Sequence, residues 1–362
     1  MSFTLGKNIK ITVAGASHSE SIDVTVEGLP KGELIDTDDI IAFLKRRQGG
    51  NASYTTARKE KDEPVIESGV TDGEEGNGVV MLTGDPLKAR FINSNAKSSD
   101  YRKMRTVPRP SHADYVAYVK YKGELDMSGG GFFSGRMTLP MCFAGAVCKQ
   151  ILKKRGIEIC AHMLSVGDIC DEAFDPVSET AERLADHVLP VISKDAGDKM
   201  VELMESVSRD GDSIGGCIEC KITGIVAGIG DPIYDSVESV ISYGMFGIPA
   251  IKGIEFGEGF KVCRDLGSKS NDGFCIRDGQ VKCVTNNSGG IQGGITNGMP
   301  IVFRVAVKPT PSIYKPQRSI DLEKMEEVEL QIEGRHDSCI VPRVVPCVEA
   351  MAALTLLDIM EY

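Results

Sequence analysis

Segments of strand periodicity and of helical periodicity are interleaved along this 362-residue chain without a regular βαβ rhythm, and that irregularity limits the fold more than any single motif. Strand-like runs occur at residues 9–13, 22–26, 78–82, 216–226, 281–285 and 301–307, the last with clean alternation. Helical spacing is clearest over 37–47, 139–154, 179–193, 195–209 and 345–362. In 139–154, Leu139, Phe143, Val147 and Ile151 recur every fourth residue, and Lys153, Lys154 and Gly156 close the segment as a helix exit does. A doubly wound parallel sheet needs strand and helix in alternation, so the pattern predicts an α+β fold. No linker composition, low-complexity tract or short repeat divides the chain, and one domain over residues 1–362 is expected.

The formal net charge of −11 argues against nucleic acid as a partner, because a polyanion is repelled at long range. Basic residues nevertheless cluster at Lys45, Arg46 and Arg47, at Arg58, Lys59 and Lys61, and at Arg102, Lys103, Arg105 and Arg109. Such local concentration suits a small anion in one pocket. No window offers the roughly 20 apolar residues of a membrane helix, and the first residues lack a signal peptide's apolar run, so a cytoplasmic location is expected. The 11 cysteines are odd in number and mostly lie singly among apolar residues, as free thiols do. Cys217 and Cys220 form the one CxxC, but in a strand their sulfurs point to opposite faces, so no metal site is expected.

Glycine gathers at Gly129–Gly131, Gly215 and Gly216, and around Gly289, Gly290, Gly293 and Gly294, where a backbone could approach a ligand closely or present successive N–H groups to an anion. None of these runs matches a dinucleotide fingerprint or a P-loop. Of five histidines, His162 and His187 lie in amphipathic surroundings and read as structural. His18, His112 and His336 instead sit among small polar residues with an arginine or an acid nearby, a setting for proton exchange beside an anion.

Seven stretches carry a resemblance: GASHSESIDVTVEGLP from Gly15, RPSHADY from Arg109, GGGFFSGRMT from Gly129, TNNSGGIQGGITNG from Thr285, KPTPSI from Lys308, KPQRSIDL from Lys315 and GRHDSCIVPRVVPCVEAM from Gly334. In order and over nearly the whole chain, they closely resemble the chorismate synthase family. The resemblance implies a β-α-β sandwich with a helical core between antiparallel sheets, assembled as a homotetramer. It also implies an anti-1,4-elimination in which 5-enolpyruvylshikimate 3-phosphate loses phosphate and a C6 proton. Reduced FMN is then required without net redox change.

Carried over residue by residue, the implied substrate-binding set is Ser17, His18, Arg47, Ser134, Arg136 and Arg335. A phosphate and two carboxylates favour arginine, whose fork holds such groups bidentately. The implied flavin-binding set is Ser134, Pro249, Ala250, Gly293, Lys308, Pro309, Thr310, Pro311, Ser312 and Arg335. Three catalytic residues are implied: His18 at the departing phosphate, His112 near flavin N1 and Asp337 assisting proton transfer through N5. The sequence departs from the family pattern where RRRPG reads Arg46, Arg47, Gln48, Gly49 and Gly50, where Ser53 replaces an arginine, where Phe132 and Phe133 precede Ser134, and where RPGH reads with Ser111. Some family members reduce their own flavin with NADPH. No nicotinamide fingerprint supports this here, so an external reductase is the expected source of reduced FMN. A non-enzymatic anion-binding module would explain the arginines and glycines but not a histidine in each of three such segments.

Overall fold

Residues 301–307 form the strand that their alternation predicts, inside a sheet, with Ile301, Phe303, Val305 and Val307 buried on one face and Arg304 half-buried and Ala306 exposed on the other. In the computed structural model, residues 1–49, 62–73, 78–93, 106–180, 183–332 and 336–361 are described. The sheet runs, edge to edge, through Ile169–Cys170, Glu158–Val166, Gly216–Thr223, Ile301–Val307 and Ile251–Phe256, with every neighbour antiparallel. A second five-stranded antiparallel sheet orders Ser2–Leu5, Lys10–Gly15, Ser21–Glu27, Leu87–Ile92 and Val65–Ser68.

Among the described residues the helices are α1 Thr37–Lys45, α2 Asp114–Lys120, α3 Thr138–Lys154, α4 Lys194–Arg209, α5 Val237–Phe246, the single turn α6 Gly267–Ser270 and α7 Val341–Met360. A helix that is apolar all round must be enclosed, and α7 is buried from Val344 to Ile359. It packs on α3, α5 and the strands Glu158–Val166 and Gly216–Thr223, while α3 also reaches the strands Lys10–Gly15 and Ser21–Glu27. Gly145 lets the two central helices touch, since a Cβ there would lie 2.3 Å from Ala350 Cβ. The carboxylates that α7 buries are paired. Asp358 accepts backbone N–H groups of Lys7, Asn8 and Ile9 at 2.6–3.0 Å, and Glu349 accepts both Arg46 Nη atoms at 2.8 Å. Burial opposes the Glu349 charge, but Lys149 and Arg46 hold its carboxyl below the ordinary range.

Four of the five expected helices form, with shifted ends. The helix expected from 345 begins at Val341 because proline is tolerated in a first turn, and Pro346 is carried inside it by the packing around. Segment 179–193 contradicts its expectation: its described residues form no helix. Long-range partners extend it instead, as Pro190 O accepts Met163 N at 2.8 Å and Asp171 accepts Ile192 N and Ser193 N at 2.6 and 2.8 Å. Its apolar spacing is satisfied by burying Leu189 and Val191. The strand expected over 216–226 stops at Thr223, before Gly224 turns at φ 77° against Gly156 O. Both histidines read as structural have structural partners, His162 between Asp171 and Glu219 and His187 beside Asp198.

Candidate active site

The Ser-His-Ser segment is the turn between the strands Lys10–Gly15 and Ser21–Glu27. Small polar residues are used here because the turn must satisfy its own backbone: Ser19 Oγ accepts Ala16 N at 2.8 Å and lies 2.5 Å from Ser21 O. Ser17 N donates to Gly131 O at 3.2 Å, tying the turn to the glycine-rich segment. There Gly129, Gly130 and Gly131 follow one another at φ 62°, 89° and 53°, a left-handed run that side chains would forbid. Its consequence is close approach. A Cβ on Gly129 would sit 2.0 Å from His18 Cε1, and one on Gly130 would sit 3.6 Å from His112 Nε2. The two histidines, 94 positions apart in sequence, therefore flank neighbouring glycines of one turn.

Beyond the glycines, Ser134 Oγ accepts Arg136 N at 3.3 Å and sets the entry to α3. The Arg136 and Arg47 guanidinium groups then meet on one buried carboxylate. Arg47 Nη2 donates to Asp62 Oδ2 at 2.6 Å, and Arg136 Nη1 donates to Asp62 Oδ1 at 3.0 Å. Arg136 Nε reaches Asn93 Oδ1 at 2.7 Å. From α7, Arg343 Nε donates to Arg47 O at 2.9 Å and Nη1 to Asp337 Oδ2 at 2.5 Å.

On the other side, the sheet brings Lys308 beside Ala250, whose carbonyl accepts Lys308 N at 3.0 Å. Lys308 Nζ donates to Ser111 O at 2.6 Å, joining this edge to the His112 loop. Burial, with Lys252 adding repulsion, lowers the Lys308 ammonium from its ordinary value. Burial likewise lowers the His112 imidazole, outweighing its hydrogen bond to the Asp114 carboxylate. Ser111 stands at φ 58° where the family pattern has glycine. Ser111→Gly is expected to relieve a left-handed cost of about 1 kcal/mol, partly offset by the greater freedom of an unfolded glycine. The urea midpoint should rise slightly; a fall would show that the serine side chain stabilises the loop.

These groups line a cavity of about 690 Å³. Of the expected residues it gathers Ser17, Arg47, His112, Ser134, Arg136, Pro249, Ala250, Lys308, Thr310, Pro311, Ser312 and Asp337. His18 lies behind Gly129, Pro309 is exposed outside the lining, and Gly293 sits in the turn between Ile291–Gln292 and Ile295–Thr296. Arg335 lies outside the described residues, as do Gly50, Ser53, Arg58, Lys59, Lys61, Arg102, Lys103 and Arg105. Phe132 packs edge-on against Phe3 with ring centroids 5.5 Å apart, and Phe133 lines the cavity. Sequence reasoning missed Asp62, Thr138, Asp114 and Arg343. Asp62 is one acid in a run of charges, and only its burial between two arginines distinguishes it.

A family model described as chorismate synthase matches residues 9–360. A curated protein named chorismate synthase from Thermococcus gammatolerans is 44% identical over 354 residues, covering 98% of this chain and 96% of its own length. Another of that name from Lancefieldella parvula is 41% identical over 371 residues, with 99% and 96% covered. A solved structure described as "Crystal Structure of Chorismate Synthase" matches with a TM-score of 0.77 at 26% identity, covering 98% of this chain and 92% of that one.

Proposed function

The chain belongs to the chorismate synthase family and is a lyase, and from this premise we propose that its cavity binds 5-enolpyruvylshikimate 3-phosphate beside reduced FMN and releases chorismate and phosphate. The observation that carries the reading is the convergence of Arg47, Arg136, Arg343 and Lys308 with His112 on one cavity, with His18 behind its glycine wall. The residues fit such guests. Arg47 Nε is buried without a hydrogen-bond partner among the described residues, and the volume is in the usual range of about 300–1,000 Å³ for ligand pockets.

Arg47, Arg136, Ser17, Ser134 and Arg335 would hold the phosphate and carboxylates of the substrate. The allylic C–O bond to phosphate breaks and the C6 proton is lost, so the new double bond forms with no net oxidation. His18, protonated, would neutralise charge on the departing phosphate. Asp337, fixed by Arg343, would assist removal of the proton. Lys308, Thr310, Pro311, Ser312, Pro249, Ala250 and Ser134, with Arg335, would hold the flavin, with His112 near its ring, whereas Gly293 and Pro309 lie outside the lining of this cavity. Reduced FMN, when bound, supplies electron density to the breaking C–O bond and recovers it.

The reading extends to one domain over residues 1–362 and to the β-α-β sandwich, supported by a continuous apolar core from Ile9 to Leu357 that includes α3 and α7. It extends also to a homotetramer. Phe274, Ile276 and Val281 are exposed by 61–74% on the hairpin of Phe274–Arg277 and Gln280–Cys283, an apolar face suited to another copy, and a sedimentation mass tests it. No described helix is long and apolar enough to cross a membrane, in keeping with a cytoplasmic enzyme. The chemistry is tested anaerobically. FMN with dithionite should give equal amounts of chorismate and phosphate, and FMN with NADPH almost none, since reduced flavin is supplied from outside. No product with dithionite would overturn the reaction; efficient NADPH-driven turnover would overturn only the need for a separate reductase.

A further inference from the structure

Two groups compete for His112 Nδ1, and they require opposite tautomers. Asp114 Oδ1 lies 2.7 Å away and can only accept while ionised, so it needs a proton on Nδ1. Arg109 Nη2 lies 3.1 Å away and can only donate, so it needs a lone pair there. The carboxylate is nearer, and Nη2 already donates to Asp114 Oδ1 at 2.8 Å. Asp114 also accepts Arg109 N at 3.0 Å and Arg109 Nε at 2.7 Å. Burial opposes its ionisation, yet these bonds hold the carboxyl well below the ordinary range, so it is an anion throughout the working pH.

We propose that Asp114 is a positioning residue that fixes His112 as the Nδ1–H tautomer, so that Nε2 faces Gly130 and the cavity as a proton acceptor. For turnover this rests on His112 acting in the reaction proposed above; for the tautomer it rests on geometry alone. Asp114 starts α2, packed at the end of the loop carrying His112, and it is buried, so carboxylate and ring are held in register by the helix start. Arg109 braces the same carboxylate and reaches across to Ser312 Oγ at 3.3 Å, linking this device to the strand end that carries Lys308. Were the charge of Asp114 removed, the freed Nη2 would donate to Nδ1 and move the proton to Nε2. The cavity would then meet a donor in place of an acceptor.

The test begins with wild-type protein labelled with ¹⁵N-histidine. Above the His112 pKa, its Nε2 should resonate as an unprotonated imidazole nitrogen and its Nδ1 as a protonated one. In Asp114→Asn the two signals should exchange character, and turnover should fall by ~10²- to 10⁴-fold with substrate binding little changed. The double variant Asp114→Asn/Arg109→Met lacks the competing donor and lets the amide oxygen accept from Nδ1, so about tenfold of the loss should return. A protonated Nε2 in neutral wild-type protein overturns the assignment even if the variants do not fold. Wild-type turnover in folded Asp114→Asn overturns the functional claim. Should His112→Ala turn over normally, the role of His112 falls, while the wild-type spectrum still decides the tautomer.

Discussion

Alanine at His112 or at His18 is expected to slow anaerobic turnover by ~10²- to 10⁴-fold, the usual contribution of a positioned acid or base, with the fold intact. Both rings lie against the left-handed glycine turn, but their surroundings differ. His18 follows Ser17 in a turn that ends a strand, whereas His112 is held by Asp114 and Arg109 next to the Lys308 edge. His18→Ala should therefore weaken substrate binding with little change in the absorbance of bound flavin. His112→Ala should alter the absorbance or protonation of bound reduced flavin. Burial depresses the His112 pKa from its ordinary value, so any acid limb due to its protonation is shifted to lower pH. Turnover and reduced-flavin absorbance over about pH 6 to 9 separate the two roles. Near-wild-type turnover in either variant removes that histidine from the mechanism, and identical flavin spectra remove the division between them.

The second large effect is expected at Asp62. Its side chain is 2% exposed and its carboxylate is shared by two guanidinium groups whose side chains are 5% and 7% exposed. Removing one partner of a buried ion pair leaves an uncompensated charge, commonly a loss of about 3–5 kcal/mol, and here two cations lose one anion. Asp62→Ala should lower the unfolding midpoint markedly and raise KM, because Arg47 and Arg136 would no longer be held at fixed positions. Adding substrate should recover part of the stability, since its anionic groups would replace the missing carboxylate. If Asp62→Ala were as stable as the parent and bound substrate more tightly, Asp62 would be a competitor for the arginines and not their brace.

The sequence was most informative where local chemistry and long-range geometry demand the same residue. Clean alternation over 301–307 produced a strand with those ends, and the spacing of Leu139, Phe143, Val147 and Ile151 produced α3, because one buried face suffices for either pattern. Segment 179–193 shows the opposite case. Its spacing suits a helix, but Asp171 and Met163 offer its backbone hydrogen-bond partners from elsewhere in the chain, and local propensity yields to them. Helix α7 was foreseen too short for a related reason: two prolines discourage a helix locally, and the surrounding core keeps it.

By itself the sequence determined the mixed helix-and-strand class, and it pointed to the histidines worth watching and to an anion pocket as expectations, since each follows from residue types within a few positions of one another. Gly129 shows where that knowledge stops. Three adjacent glycines announce a close approach, but that the approaching groups are His18 and His112 depends on two loops meeting in space. Asp62 and Asp114 were ordinary acids until folding excluded water around them and set each within hydrogen-bonding distance of an arginine. Charge can be read from a sequence. The burial and distance that decide what a charge does arise only when distant segments pack together.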